Sequence, residues 1–142
     1  MESDDRWAVL LALDEELLKG DVMLSEWCAL IVNEADTAFA TGSYLASILT
    51  AVSGIETYLR AEYLAGRDER LAELIENSDL ASDLKADLHR LRHYRNRWVH
   101  VKAPADDEAL LTDPAPVDRE LEVMAYFAAR TLRRTIYSVQ GV

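Results

Sequence analysis

Arg92, Arg95, Asn96, Arg97 and His100 fall inside one stretch, Leu91-Arg92-His93-Tyr94-Arg95-Asn96-Arg97-Trp98-Val99-His100. An imidazole moves protons near neutral pH, a guanidinium holds phosphate or a developing anion, and a carboxamide orients either. All three histidines of the chain, His89, His93 and His100, lie within twelve residues. From Lys85 to Lys102 there are six Lys/Arg and one acid, Asp87, a local charge of +5 in a chain of net charge −11, so the rest sums to −16. An acidic chain that gathers its cations and histidines in one place points to an anion site rather than a solvated face.

Spacing limits how these groups combine. Asn96 and His100 are four apart and share a helix face. Arg95 and His100 are five apart, about 140° around an ideal helix. Either the helix end distorts near Val99, or a ligand is reached from two sides, or two copies of the chain bring their clusters together. His89 and His93 are half of a metal site by spacing. No third or fourth ligand accompanies them, and Arg90 and Arg92 repel a cation, so no metal and no cofactor are expected. Glycine-rich phosphate loops, GxSxG, HExxH and CxxC are absent from the sequence.

Two charges interrupt apolar stripes. The stripe Leu84, Leu88, Leu91, Trp98 and Val101 has Arg95 at its centre, and the stripe Leu45, Ile48, Val52, Leu59 and Tyr63 has Glu56. A charge on an apolar face is costly unless paired. Glu56 and Arg95 are therefore expected to face each other, either as a structural bridge or with Glu56 orienting Arg95 for work on a ligand.

The elements that position these residues are helical almost throughout. Helices are predicted over about Asp5–Lys19 (ended by Gly20), Val22–Thr41 (ended by Gly42), Ser43–Ala65 (closed by Gly66), Asp68–Glu76, Leu80–Val101 and Val117–Val139. Ala103 to Pro116 holds all three prolines and reads as a loop. Trp7, Trp27 and Trp98 lie on apolar stripes and read as core. Glu62, Glu69, Glu73 and Glu76 read as solvent-facing. The expected fold is an all-α, antiparallel up-and-down bundle of five to six helices, as a single domain over residues 1–142.

The chain is long enough to bury a core without staples. Its one cysteine, Cys28, forms no internal disulfide, which favours a reducing cytoplasm. The opening Met1-Glu2-Ser3-Asp4-Asp5 is no signal peptide, and no apolar run approaches the ~18 residues of a membrane span. The acidic balance argues against broad coating of nucleic acid but leaves room for a small basic cleft that takes a short single strand or a nucleotide.

Arg95-Asn96-Arg97-Trp98-Val99-His100 resembles the motif of the HEPN superfamily: an Arg, often followed by a polar residue, with a His four to six residues on. The motif ends a long helix after Leu88-His89-Arg90-Leu91-Arg92, and an earlier helix carries an acid within its apolar stripe. The resemblance implies a bundle that dimerises around the motif helices, and for many members a metal-independent endoribonuclease in toxin–antitoxin or other bacterial defence systems. It implies His100 as acid or base on the ribose hydroxyl or leaving oxygen, Arg95 stabilising transition-state charge, and Asn96 positioning phosphate or His100. Arg92, Arg97 and Lys102 would contact the RNA backbone, and Glu56 would support Arg95. An antitoxin or regulatory protein is the implied partner. One toxin subfamily carries a Tyr where this chain has Lys102, so that subfamily's antitoxin partnership is in doubt. Other members are non-catalytic modules that bind RNA, a nucleotide or a protein through the same helix.

Overall fold

The computed structural model describes residues 1–63, 68–100 and 112–141. Lys102, Gly66 and most of the predicted loop lie outside them. The described residues form six helices: α1 (Ser3–Leu17), α2 (Glu26–Ala40), α3 (Tyr44–Glu62), α4 (Leu71–Asn77), α5 (Ser82–Val99) and α6 (Ala115–Ile136). The fold is an all-α bundle. Among the described residues no helix is long and apolar enough to cross a membrane.

α3 is the central element, packed between α2 and α6. α1 covers α2 and α6, and α5 lies on α6, α4 and α3. The α3 face that fills the core is Ile48, Ala51, Val52, Ile55 and Leu59, none more than 2% exposed. Facing it are Phe39 of α2, Leu88 and Leu91 of α5, and Ala128, Leu132 and Ile136 of α6. Their three-to-four spacing explains why these segments are helices: only that period turns so many apolar side chains to one side.

The ends of the elements follow local chemistry. α2 stops at Thr41 because Gly42, at φ +80°, enters the left-handed region. The Ser43 N–H then donates to Ala38 O at 2.8 Å and the Gly42 N–H to Phe39 O at 3.0 Å, closing a Schellman turn. The link to α3 is so short that the two helices must run antiparallel. α2 begins four residues later than predicted. Ser25 caps it, its hydroxyl accepting the Cys28 N–H at 3.2 Å. The preceding segment is instead extended, and Asp21 exchanges two backbone hydrogen bonds with Gly141, at 3.2 and 2.6 Å. Gly20 therefore does not terminate α1, which ends at Leu17. A Cβ on Gly20 would sit 1.9 Å from the Gly141 carbonyl oxygen, so close backbone approach is what requires a glycine there. Pro116, predicted to lie in the loop, occupies the first turn of α6, where its missing N–H has no helical acceptor to lose.

The predicted Glu56–Arg95 pair does not form. Glu56 meets Arg60 on its own helix at 3.4 Å, and both are partly exposed. The Arg95 Nε donates to Asn96 Oδ1 at 2.9 Å. The stripes are in fact uninterrupted: Ile55, three after Val52, and Tyr94, three after Leu91, fill the places assigned to the charges. Glu56 and Arg95 each sit one position beyond, at the margin of the buried face.

The buried charge lies elsewhere. Arg133 of α6 is 2% exposed. Its two Nη atoms donate to both Asp36 oxygens, at 3.0 and 2.8 Å, and its Nε to Asp14 Oδ1 at 2.9 Å. The Tyr137 hydroxyl donates to that same Asp14 oxygen at 2.7 Å. Burial, then this bond to the carboxylate, pushes the Tyr137 phenol well above its ordinary pKa. One guanidinium thus ties α1, α2 and α6 together.

Candidate functional site

The last turns of α5 carry the site. His93, Asn96, Arg97 and His100 recur at three- and four-residue intervals, so they lie on one helix face. Together they line an open cleft of about 570 Å³. α5 ends at Val99 and His100 is its C-cap, with φ −124° and its backbone N–H donating to Asn96 O at 2.9 Å. The helix stays regular up to its end, so distortion near Val99 is not how Arg95 and His100 are brought together. The His100 imidazole is exposed and bonds to no other described residue.

Arg95 acts on the cleft through its neighbour. By donating to Asn96 Oδ1 it occupies the amide oxygen and leaves the Asn96 Nδ2 as a donor. Asn96 lines the cleft with its amide nitrogen as the group left to donate, which suits a phosphate oxygen. Arg97 reaches across to α6, its Nη1 on Glu120 Oε1 at 2.7 Å, and its guanidinium lies over the rings of Tyr94 and Trp98 at 5.5 and 5.9 Å. One carboxylate thereby offsets part of its charge.

Arg92 sits a turn earlier between two histidines. One of its Nη atoms lies 3.4 Å from His89 Nδ1 and 3.2 Å from His93 Nε2. A guanidinium can only donate, so it holds both rings through these nitrogens. His89 Nε2 then donates to the Glu76 carboxylate. His89 is therefore not a solvated helix-face residue: its side chain is 24% exposed and bonded on both nitrogens. Its partner Glu76 faces solvent, as expected. Among the described residues no group of three or more His, Cys, Asp or Glu is arranged to hold a metal ion.

The cluster keeps its positive character. Arg90 stacks on the Phe127 ring at 4.8 Å, and Arg92 and Arg95 have no carboxylate partner among the described residues. Beneath them Arg92 Nε, Tyr94 OH and Trp98 Nε1 are buried without a hydrogen-bond partner among the described residues. Burial is the main cause that raises the Tyr94 phenol above its ordinary pKa.

Of the residues expected from sequence, Asn96, Arg97 and His100 come together in the cleft, with Arg95 one hydrogen bond behind. Arg92 lies beside it. Glu56 does not contribute, and Lys102 lies outside the described residues. His93 on the cleft wall and the two anchoring acids, Glu76 and Glu120, were not anticipated. His93 could have been found, since it precedes Asn96 by three and His100 by seven. The acids are distant in sequence and leave no local signal.

No family model, no curated protein and no solved structure matches this chain.

Proposed function

We propose that this chain is a metal-independent, HEPN-type endoribonuclease of a bacterial defence or stress system, active in the cytoplasm as a homodimer. The observation that carries the reading is the single cleft lined by His93, Asn96, Arg97 and His100, with Arg95 bound behind Asn96. The chemistry is internal transesterification. A neutral His100 takes the proton of a ribose 2′-hydroxyl, and that oxygen attacks the adjacent phosphorus. The bond to the 5′-oxygen breaks, and that oxygen takes a proton from the protonated imidazole of the second protomer. The ends left are a 2′,3′-cyclic phosphate and a 5′-hydroxyl. Asn96 Nδ2 and Arg97 hold the non-bridging oxygens as charge builds there, and Arg95 keeps the amide turned the right way. Arg92, fixed by His89 and His93, extends the phosphate track.

Two protomers are invoked because the reaction uses a base and an acid, and of the two exposed imidazoles lining one protomer's cleft His93 is held by Arg92 through Nε2, leaving His100. An antitoxin or other regulatory protein would restrain such an activity. A second reading, a non-catalytic module that binds RNA, a nucleotide or a protein through α5, is favoured by one feature: no described side chain orients His100.

The test is incubation of purified protein with single-stranded RNA and EDTA. Cyclic-phosphate ends, with DNA of the same sequence left intact, support the enzyme. Varied RNAs left intact by a verified dimer transfer the assignment to the binding module.

A further inference from the structure

α2 has two apolar faces. The inner one is built mainly from small residues, Cys28, Ala35 and Ala40, with Phe39, all buried. The outer one carries larger side chains that nothing covers. Met23 ahead of the helix is 94% exposed, Trp27 74% and Leu30 54%. Within the helix Trp27, Leu30, Ile31 and Glu34 follow one another at the three- and four-residue spacing of one face. Trp27 was expected in the core, and its position outward is the largest departure of any aromatic residue. With Leu49 of α3 these side chains border a groove of about 450 Å³. Contiguous exposed apolar surface of this kind marks an interaction site, and tryptophan is the side chain most enriched where binding energy concentrates.

Charge selects the occupant. From Gly20 to Leu59 the sequence has no Lys, Arg or His and five acids. Asp36 is taken by Arg133 and Glu56 by Arg60. Glu26 and Glu34, at either end of the Trp27–Leu30 face, are exposed and unpaired among the described residues. A second copy docked here would bring its own acids against these. A partner with cations at its margins would pair with them, and a Lys or Arg could also lie on the Trp27 ring. The groove lies between two helices, the geometry in which an amphipathic helix sets its anchors.

We infer that the outer face of α2, centred on Trp27 and Leu30, is a docking surface for an amphipathic helix of another protein, one whose apolar stripe is flanked by Lys and Arg. α2 packs on α1, α3 and α6, while the candidate cleft is on α5. The surface is therefore separate from that cleft, and the inference does not depend on what the cleft does.

The probe is a designed amphipathic peptide of Leu and Lys, titrated calorimetrically into the full chain, beside a Leu and Glu peptide of the same pattern. The Leu/Lys peptide should bind and the Leu/Glu peptide should not. Trp27→Ser and Leu30→Ser, both surface changes checked by circular dichroism, should each weaken binding at least about tenfold. Leu11→Ser, at a residue 61% exposed on α1, should leave it unchanged. Equal binding by wild type and both α2 variants would overturn the inference, because attraction would then be diffuse charge alone. It is also overturned if Trp27→Ser converts a wild-type oligomer to monomer, since the face would then belong to a second copy.

Discussion

Replacing Asp36 by Ala removes two of the three carboxylate bonds to Arg133 and leaves a guanidinium that is 2% exposed with only Asp14 opposite. Leaving a charge buried and half-compensated costs ~3–5 kcal/mol. Arg133→Met strands carboxylates instead, but their side chains are 17% and 33% exposed, for Asp36 and Asp14, and water can reach them. Its cost should sit at the lower end, about 3 kcal/mol. The double variant Asp36→Ala/Arg133→Met removes the charge together with its main partner. It should be more stable than the sum of the singles by up to ~3 kcal/mol. Asp14→Ala should cost less than Asp36→Ala, since it removes one bond to Arg133 rather than two. The assay is urea unfolding at neutral pH followed by circular dichroism. In thermal unfolding, at roughly 2–4 °C per kcal/mol for a chain of this size, Asp36→Ala should lower Tm by about 6–20 °C. Additivity of the two single changes within about 0.5 kcal/mol would refute the argument that a desolvated Asp36–Arg133 pair joins α2 and α6.

Other consequences follow from single contacts. Gly42→Ala should cost ~1–2 kcal/mol in the same assay, because the position is left-handed and its Cβ would lie 3.2 Å from the Arg6 guanidinium carbon. Tyr63, whose hydroxyl donates to Asp79, is pushed up to about 12, by burial first and by this carboxylate second. A folded pKa above the unfolded one stabilises the protonated form. That contribution is complete below pH about 10 and is lost as pH rises through the folded value. Alkaline unfolding curves should show this loss, and Tyr63→Phe should remove that component of it. Light scattering should give a dimer burying on the order of 1,600 Å² in total, with contacts on α5. A monomer at tens of micromolar would exclude a composite site.

Much of this was legible in the sequence, and what was not has identifiable causes. Helix positions followed from apolar spacing, and Gly42 marked a stop that the chain obeys. The start of α2 was misplaced although Ser25 stands three residues before Cys28, because apolar residues at Val22 and Leu24 continue the period backwards. Glu56 and Arg95 were assigned to the interior because a three-to-four pattern can be drawn through either Ile55 or Glu56, and through Tyr94 or Arg95. Packing chooses the apolar member. On α6 the pattern also runs through Arg133, four after Ala129 and three before Ile136, and there a charge is buried because Asp14 and Asp36 pair with it. Periodicity identifies the two apolar faces of α2 and cannot say which points inward, so Trp27 lies outside the core that its spacing predicts. At the candidate site, the shared face of Asn96 and His100 followed from a spacing of four. The links from Arg97 to Glu120 and from His89 to Glu76 depend on which helices neighbour α5, and no local pattern encodes them.

The central claim is that the His100 imidazole moves the proton in RNA cleavage. The direct measurement is the cleavage rate of single-stranded RNA by purified wild type and His100→Ala dimers of equal circular dichroism, with EDTA present. The predicted result is a ~10²–10⁴-fold lower rate for the variant, the worth of a positioned acid or base, with cyclic-phosphate ends from wild type. Equal rates, or cleavage by wild type that EDTA abolishes, would contradict it.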